Sequence, residues 1–435
     1  MTRTQRIALV YLLLSCGVSV LLGFCVECTK PDAMLDFKGV YYDTRCLLQH
    51  DDPYRAGEPL RVYQAAGGVL PQVGEGLRQN LTWNVYLPAT SIFIAPLAML
   101  PWAPAHVLWM IFTAASLVFA GFLMWNIGAN YSPLISGALI CFILANSEVL
   151  FATGNTAGIV VGLCVVAVWC FLRERFVWAG ILCLAVSLAI KPHDAGLVWL
   201  FFLLAGGIYR KRALQTLVLI AVLMVPACLW VSSVAPHWMG ELHSNLLAAS
   251  APGGNSDPGP ANPIYKSCPA MIIDLQSTIS AFRDDPRIYN SISYLVCGAL
   301  LLIWSFRTLR TPFSQRKAWL ALAAIVPLTL LVSYHRPYDT KLLLLTVPAC
   351  AMLWAEGGTI RWPALLVTTA GFVLTADVPL IILMIFTKNL PIYTPGLSGQ
   401  ILTAVLTRPT PLILLAMAIF YLWIYMRRAP ERGLP

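Results

Sequence analysis

The sequence predicts an all-α integral membrane protein, a multi-pass helical bundle of about 12 transmembrane helices with two long loops on one face. Three observations carry that expectation. Hydrophobic residues fill 58% of the 435 positions and charged residues only 11%, against roughly 25% charged in an ordinary soluble domain, which excludes a water-soluble fold. Apolar runs long enough to cross a hydrocarbon core recur along the chain, and the mean hydropathy is +0.73. The 14 Trp, 16 Tyr and 18 Phe suit a chain with two membrane interfaces, where aromatic rings collect.

In chain order, spans are expected at 7–26, 103–126, 132–151, 155–172, 177–190, 194–208, 213–233, 290–306, 318–333, 340–355, 362–387 and 409–426. The first follows Arg3 and Arg6 as a secretory signal would, but no small-residue cleavage pattern appears near Cys25 to Cys28, so it is expected to remain as a span. Segment 86–101 is also apolar. Pro88, Pro96 and Pro101 break it, and it is expected to be re-entrant or interfacial. The whole of 1–435 then reads as one transmembrane domain, with a first outer loop and its re-entrant piece over 27–102 and a second outer loop over 234–289. Neither loop can hold a doubly wound nucleotide-binding domain.

The placement of Lys and Arg supports this topology. One side holds 15 basic and 3 acidic residues, including Arg3, Arg6, the Arg210-Lys211-Arg212 run and Arg427-Arg428, and the other 14 basic and 17 acidic residues. Cytoplasmic loops carry the basic excess. Both termini are therefore expected in the cytoplasm, with the protein in the cell inner membrane. The net charge of +9 becomes a topology signal and implies no nucleic-acid partner. The run Ala251 to Pro260 is rich in Pro, Gly, Asn and Ser and reads as a flexible tip of the second loop. Cys25, Cys28, Cys46 and Cys268 fall on the outer side, where a disulfide can form but its pairing cannot be deduced. Asn80-Leu81-Thr82 is a formal glycosylation sequon, a triplet that often arises by chance.

The candidate chemistry lies on the outer face. The first loop carries Asp32, Asp36, Asp43, Asp51 and Asp52, and 33–48 can form a helix along the membrane surface with Asp36 and Asp43 on one face beside Tyr41 and Tyr42. Between the fifth and sixth spans stands Lys191-Pro192-His193-Asp194, and between the ninth and tenth Ser333-Tyr334-His335-Arg336-Pro337-Tyr338-Asp339-Thr340-Lys341. Ionisable groups at such depth usually mark a site. Glu148, the turn Gly154-Asn155-Thr156 and Arg408 face the same side. Lys191, His335 and Arg336 are suited to neutralise a lipid phosphate, and Asp36 to take a proton from an incoming hydroxyl.

These residues resemble the integral-membrane GT-C glycosyltransferases, and within them glycosyltransferase family 87, similar to the polyprenyl-phosphate-mannose-dependent mannosyltransferases. The resemblance rests on Asp36-Phe37, Tyr41-Tyr42 and Asp52-Pro53-Tyr54, then Tyr86-Leu87-Pro88, Ala95-Pro96-Leu97 and Leu100-Pro101, then Gly154-Asn155, Ala179-Gly180 through Ile190-Lys191-Pro192, and Ser333-Tyr334-His335. Three places depart from the family pattern: Asn155 stands where Gln is usual, His193-Asp194 follows Lys191-Pro192, and the 333–341 patch has one His where two are usual. The resemblance implies a GT-C-type bundle with short interfacial helices in its outer loops. It also implies a hexosyl, mannosyl or related sugar delivered by a polyprenyl phosphate to an envelope glycan or glycolipid, transfer at the outer face with inversion, and an essential Asp that maps to Asp36. Tyr41, Tyr42, Asp43, Glu148, Asn155, His193, Asp194, Tyr338, Asp339 and Arg408 are candidates for substrate contact or for orienting the cations. No metal site and no cofactor are expected, the lipid-linked sugar being a substrate. The rival expectations are an ion-coupled transporter using Asp194, Asp377 and the histidines as a relay, and an oligosaccharide ligase or polymerase.

Overall fold

The computed structural model describes residues 3–29, 33–71, 75–262, 271–388 and 396–427. Every regular element among them is helical. Helix α1 (Arg3–Thr29) leads into four short helices, α2 (Leu35–Leu48), α3 (Glu58–Ala65), α4 (Gly76–Thr82) and α5 (Pro88–Ala98). The bundle continues through α6 (Trp102–Gly128), α7 (Pro133–Ala145), α8 (Glu148–Thr153), α9 (Ala157–Leu172), α10 (Val177–Ile190), α11 (Pro192–Leu204) and α12 (Gly207–Val234). The second polar segment carries α13 (Trp238–Ser250) and α14 (Leu275–Ser280). Then follow α15 (Pro286–Arg310), α16 (Gln315–Val332), a 3₁₀ helix (Pro337–Thr346), α17 (Val347–Glu356), α18 (Arg361–Val373), α19 (Asp377–Lys388), α20 (Leu397–Thr407) and α21 (Pro409–Met426).

Proline sets many of the starts. Pro88, Pro133, Pro192, Pro286, Pro337 and Pro409 each open a helix, where the ring pre-sets φ and the missing N–H would have had no partner anyway. Asp274 and Asp285 cap α14 and α15 through side-chain oxygens that accept from Ser277 N and Arg287 N. The core runs along α16, buried continuously from Ala318 to Leu331, against α11, α15, α21 and the 3₁₀ helix. On the outside, α12 turns Leu214, Leu217, Val218, Val222, Val225 and Leu229 outward, the surface expected of a helix whose solvent is lipid.

Helix occupies all twelve segments in which a span is expected, but not all are long enough to cross alone. Among the described residues, seven helical segments have the length and hydropathy to cross a membrane, and an eighth is formed if α18 and α19, bent by 72° at their junction, act together. Helices α9, α10 and α11 have 16, 14 and 13 residues, and 340–355 is split between the 3₁₀ helix and α17. The protein is thus a multi-pass membrane protein, and among the described residues twelve full-length spans are not confirmed. Its α5 has 11 residues, roughly 16 Å at 1.5 Å per residue, too short to cross a core of about 30 Å.

Two local expectations also change. The helix expected along the membrane surface forms as α2, but it is sunk into the protein, with Asp36, Phe37, Tyr41, Tyr42, Asp43 and Cys46 all buried. The cause is an aromatic cluster. Phe37 stacks on Trp109 at 4.7 Å and Tyr41 meets Trp102 edge-on at 5.3 Å, while α3, α4 and α5 close around the helix. The run 251–260, expected to be a flexible tip, is tied down: Asp257 accepts from Gly253 N and Gly259 N, and Asn262 Nδ2 donates to Asp257 O. Of the four cysteines on which a disulfide was expected to draw, Cys46 is a buried thiol; the Cys28 side chain and Cys268 lie outside the described residues.

Candidate active site

A cavity of about 500 Å³ opens where five connections meet, a volume suited to a small organic ligand. Its wall includes Asp36 of α2, Asn80 of α4, Tyr86 before α5, Asn155 of the α8–α9 turn, Lys191 and His193 of the α10–α11 corner, Asn255 and Ser256 of the tip, and Tyr334, Arg336 and Tyr338. Apolar side chains complete it, among them Trp83, Leu87, Ile190 and Leu246.

Asp36 is placed by the start of α2. Met34 takes a left-handed conformation, and its N–H donates to Ala152 O at 2.6 Å, which docks the helix on α8. The turn after α8 fits closely underneath. Gly154 has φ +64°, and a Cβ there would lie 2.8 Å from Phe37 Cβ, so glycine meets both demands. The Gly154 carbonyl accepts from Trp109 Nε1 at 2.8 Å, which aims Asn155 into the site. Asn155 Nδ2 donates to Asp36 Oδ2 and Asn80 Nδ2 to Asp36 Oδ1, both at 2.8 Å. Burial pushes the Asp36 carboxyl above the usual carboxylate range, against the pull of the Asn155 amide, the Arg336 charge, the Asn80 amide and the Lys191 charge. A carboxyl so placed is a stronger base than one in water.

Two cations face this carboxylate, and they differ. Lys191 sits at an extended corner, φ −144° and ψ 78°, the conformation that a following proline imposes. Its ammonium is 3.3 Å from Asp194 Oδ2, bonds Asp339 Oδ1, and lies 5.2 Å over the Tyr338 ring. Burial opposes the charge, but Asp194 and Asp339 outweigh it and raise the ammonium above the ordinary lysine value. Arg336 has no carboxylate within ion-pair distance among the described residues. Its guanidinium lies 5.4 Å over Tyr334, bonds the Tyr334 hydroxyl through Nε and donates from Nη2 to Asn255 O at 3.0 Å.

His335, expected at the phosphate, lies behind the wall and is wholly buried. Its Nδ1 is 2.8 Å from Ser333 O and its Nε2 3.2 Å from Asp194 Oδ1. Both neighbours favour a charged ring, but Nε2 makes no aligned hydrogen bond to the carboxylate. Burial works against that charge; Asp194 and Asp339 override it and raise the His335 pKa. His193 meets His335 edge-on at 5.0 Å and remains on the cavity wall. His193, Asp194 and His335 bring ligand atoms within 4.8 Å of one another, a separation that would admit a cation. Asp194 already serves Lys191 and His335 there, so a metal would replace charges that now balance.

The other expected residues are not on the wall. Tyr41 donates to Leu100 O and accepts from Arg45, and Tyr42 meets Tyr63 edge-on, so both serve the aromatic core of the first polar segment. Asp43, two turns farther along α2, is buried and does not line the cavity, and Asp339 and Asp194 stand behind Lys191. Arg408 donates to Ser280 Oγ at 2.9 Å, away from the cavity. Glu148 belongs to a separate buried group: Asp377 Oδ2 accepts from Val149 N, Lys341 bonds Asn146 O, and both charges act on Glu148. The residues that sequence reasoning missed are Asn80 and Asn255. The signal present was one of position, since Asn80 stands three residues before Trp83 and six before Tyr86, and Asn255 interrupts a glycine-rich run.

The site is a largely apolar cavity in a multi-pass helical protein, with a buried carboxylate and a guanidinium on its wall. The sequence profile of glycosyltransferase family 87 matches residues 84–334. That is more than half of the chain, which therefore belongs to the family and is a glycosyltransferase. No curated protein and no solved structure matches it. The matched range holds Asn155, Lys191, His193 and Tyr334, and leaves Asp36 outside. The case for Asp36 accordingly rests on its geometry.

Proposed function

We propose that the protein moves a hexosyl group, mannosyl by the family resemblance, from a polyprenyl-phosphate donor to a hydroxyl of an envelope glycan or glycolipid, as a GT-C-type enzyme of the inner membrane working at its outer face. The observation that carries this is the meeting of Asp36 and Arg336 on one cavity wall. Asp36 Oδ takes the proton of the acceptor hydroxyl as that oxygen attacks the anomeric carbon. The bond from that carbon to the phosphate oxygen breaks, and its electron pair leaves with the polyprenyl phosphate. Attack opposite the leaving group inverts the centre. Arg336 meets the phosphate charge directly, with Lys191 adding a field largely balanced by Asp194 and Asp339. Stabilising charge that develops in a partly dry site is usually the largest catalytic contribution. The outer-face placement is supported by the distribution of Lys and Arg. Family membership favours catalysis over transport.

In proteoliposomes supplied with a radiolabelled polyprenyl-phosphate sugar, Asp36→Asn should lower transfer by about 10²-fold or more while donor binding persists. Transfer at the wild-type rate would remove Asp36 as the base. Because the base must be ionised and its carboxyl is held above the usual range, the wild-type rate should fall with acid at a higher pH than the titration of an ordinary aspartate predicts.

A further inference from the structure

We infer that Asn80 and Asn255 are positioning residues for Asp36, so that the tip 251–262 supplies the last part of the base. This rests on the assignment of Asp36 as the base. The chain of bonds has one polarity. Asp36 Oδ1 can only accept when ionised, so Asn80 must turn its NH₂ toward it, at 2.8 Å. That leaves Asn80 Oδ1 facing the tip, where Asn255 Nδ2 donates to it at 2.9 Å. The Asn255 backbone carbonyl in turn accepts from Arg336 Nη2 at 3.0 Å and from Asn262 Nδ2 at 3.2 Å. One residue of the tip therefore joins the carboxylate that takes the proton to the guanidinium that faces the leaving phosphate.

The tip holds Asn255 there by its own construction. Asp257 gathers two backbone N–H groups of the loop, Ser256 N donates to Ala249 O at 2.9 Å, and a Cβ on Gly254 would stand 2.2 Å from Ala249 O. Gln79 Nε2 reaches Gly253 O at 3.3 Å, fastening the same loop to α4. Around Asp36 the other charged or titratable groups are Arg336 and Tyr334, Lys191, Tyr338 and Tyr86. With these in place, removing one donated bond leaves the carboxylate less stabilised and its proton held more tightly.

The test uses the full chain in proteoliposomes, with pH–rate profiles for the wild type, Asn80→Ala, Asn255→Ala and the double variant. Asn80→Ala should lower kcat about tenfold, leave the donor KM within about twofold, and move the acid limb of the profile up by about one pH unit. Asn255→Ala should shift the limb in the same direction by less, and the double variant should match Asn80→Ala, since both act through one chain of bonds. Asn80→Asp, which sets a second carboxylate against Asp36, should push the limb higher still. Acid limbs that stay at the wild-type position in Asn80→Ala and Asn255→Ala, whatever happens to kcat, would overturn the inference. Asn255→Ala alone decides it if Asn80→Ala does not fold. An inactive Asp36→Asn beside unmoved limbs separates failure of this inference from failure of the base assignment, which an active Asp36→Asn would signal.

Discussion

Two basic side chains on one cavity wall can do different work, and Lys191 and Arg336 illustrate it. Lys191 is locked between Asp194 and Asp339, whereas the Arg336 head group has only a hydroxyl and a carbonyl as side-chain partners. Its fork therefore keeps donors for a phosphate. Arg336→Ala should raise the donor KM about tenfold or more with little loss of thermal stability. Lys191→Ala should instead lower the melting temperature, because it leaves two buried carboxylates without their cation. Donor titrations and melting curves on the two variants check the contrast. At this scale the sequence was legible wherever a charge sits deep in apolar surroundings. Asp36, Lys191 and Arg336 stood out for that reason and line the cavity. The direction of a side chain is not written in its spacing, and His335 and Asp339 share the patch with Arg336 but point behind the wall. Neutral amides carry no such signal. Asn80 reads as part of a sequon and Asn255 as part of a turn, and only the fold, 175 residues apart in sequence, brings them together.

Among the elements, the 3₁₀ helix is unusual, since runs longer than three or four residues are uncommon in that conformation and this one has ten, all buried. Three residues per turn put Tyr338 and Lys341 in line along it. Its first turn thus holds the cavity wall, and the next sends a buried ammonium to Asn146 O, near Glu148 and Asp377. The charge of that lysine acts on the Glu148 and Asp377 carboxyls without pairing directly with either. Lys341→Ala should lower the melting temperature markedly, whereas Arg61→Ala, which breaks an exposed pairing with Asp51 and Glu58, should hardly move it. Thermal unfolding in detergent compares the two. The sequence foretold helix at nearly every element because long apolar runs permit little else in lipid. It could not foretell that 340–355 divides, since four consecutive leucines fit either helix type equally well.

For the whole molecule, the positive-inside arrangement makes a clear prediction. A cysteine at Pro260 should react with a reagent confined to the outside of intact cells, and one at Pro312 should not. The reverse pattern would turn the cavity toward the cytoplasm, where sugar nucleotides rather than lipid-linked sugars abound, and the proposed donor would fall with it. Fold class is a collective property of many residues, which is why composition alone reaches it. The number of full crossings is not, because it depends on where individual helices stop. Helices α9, α10 and α11, with 13 to 16 residues, rise roughly 20–24 Å, several ångströms less than a hydrocarbon core of about 30 Å. Lys191 marks the junction of two of them and lines the cavity. On the proposed function, a lipid-linked donor would thus meet Lys191 at the junction of two short helices rather than at the end of a full-length span.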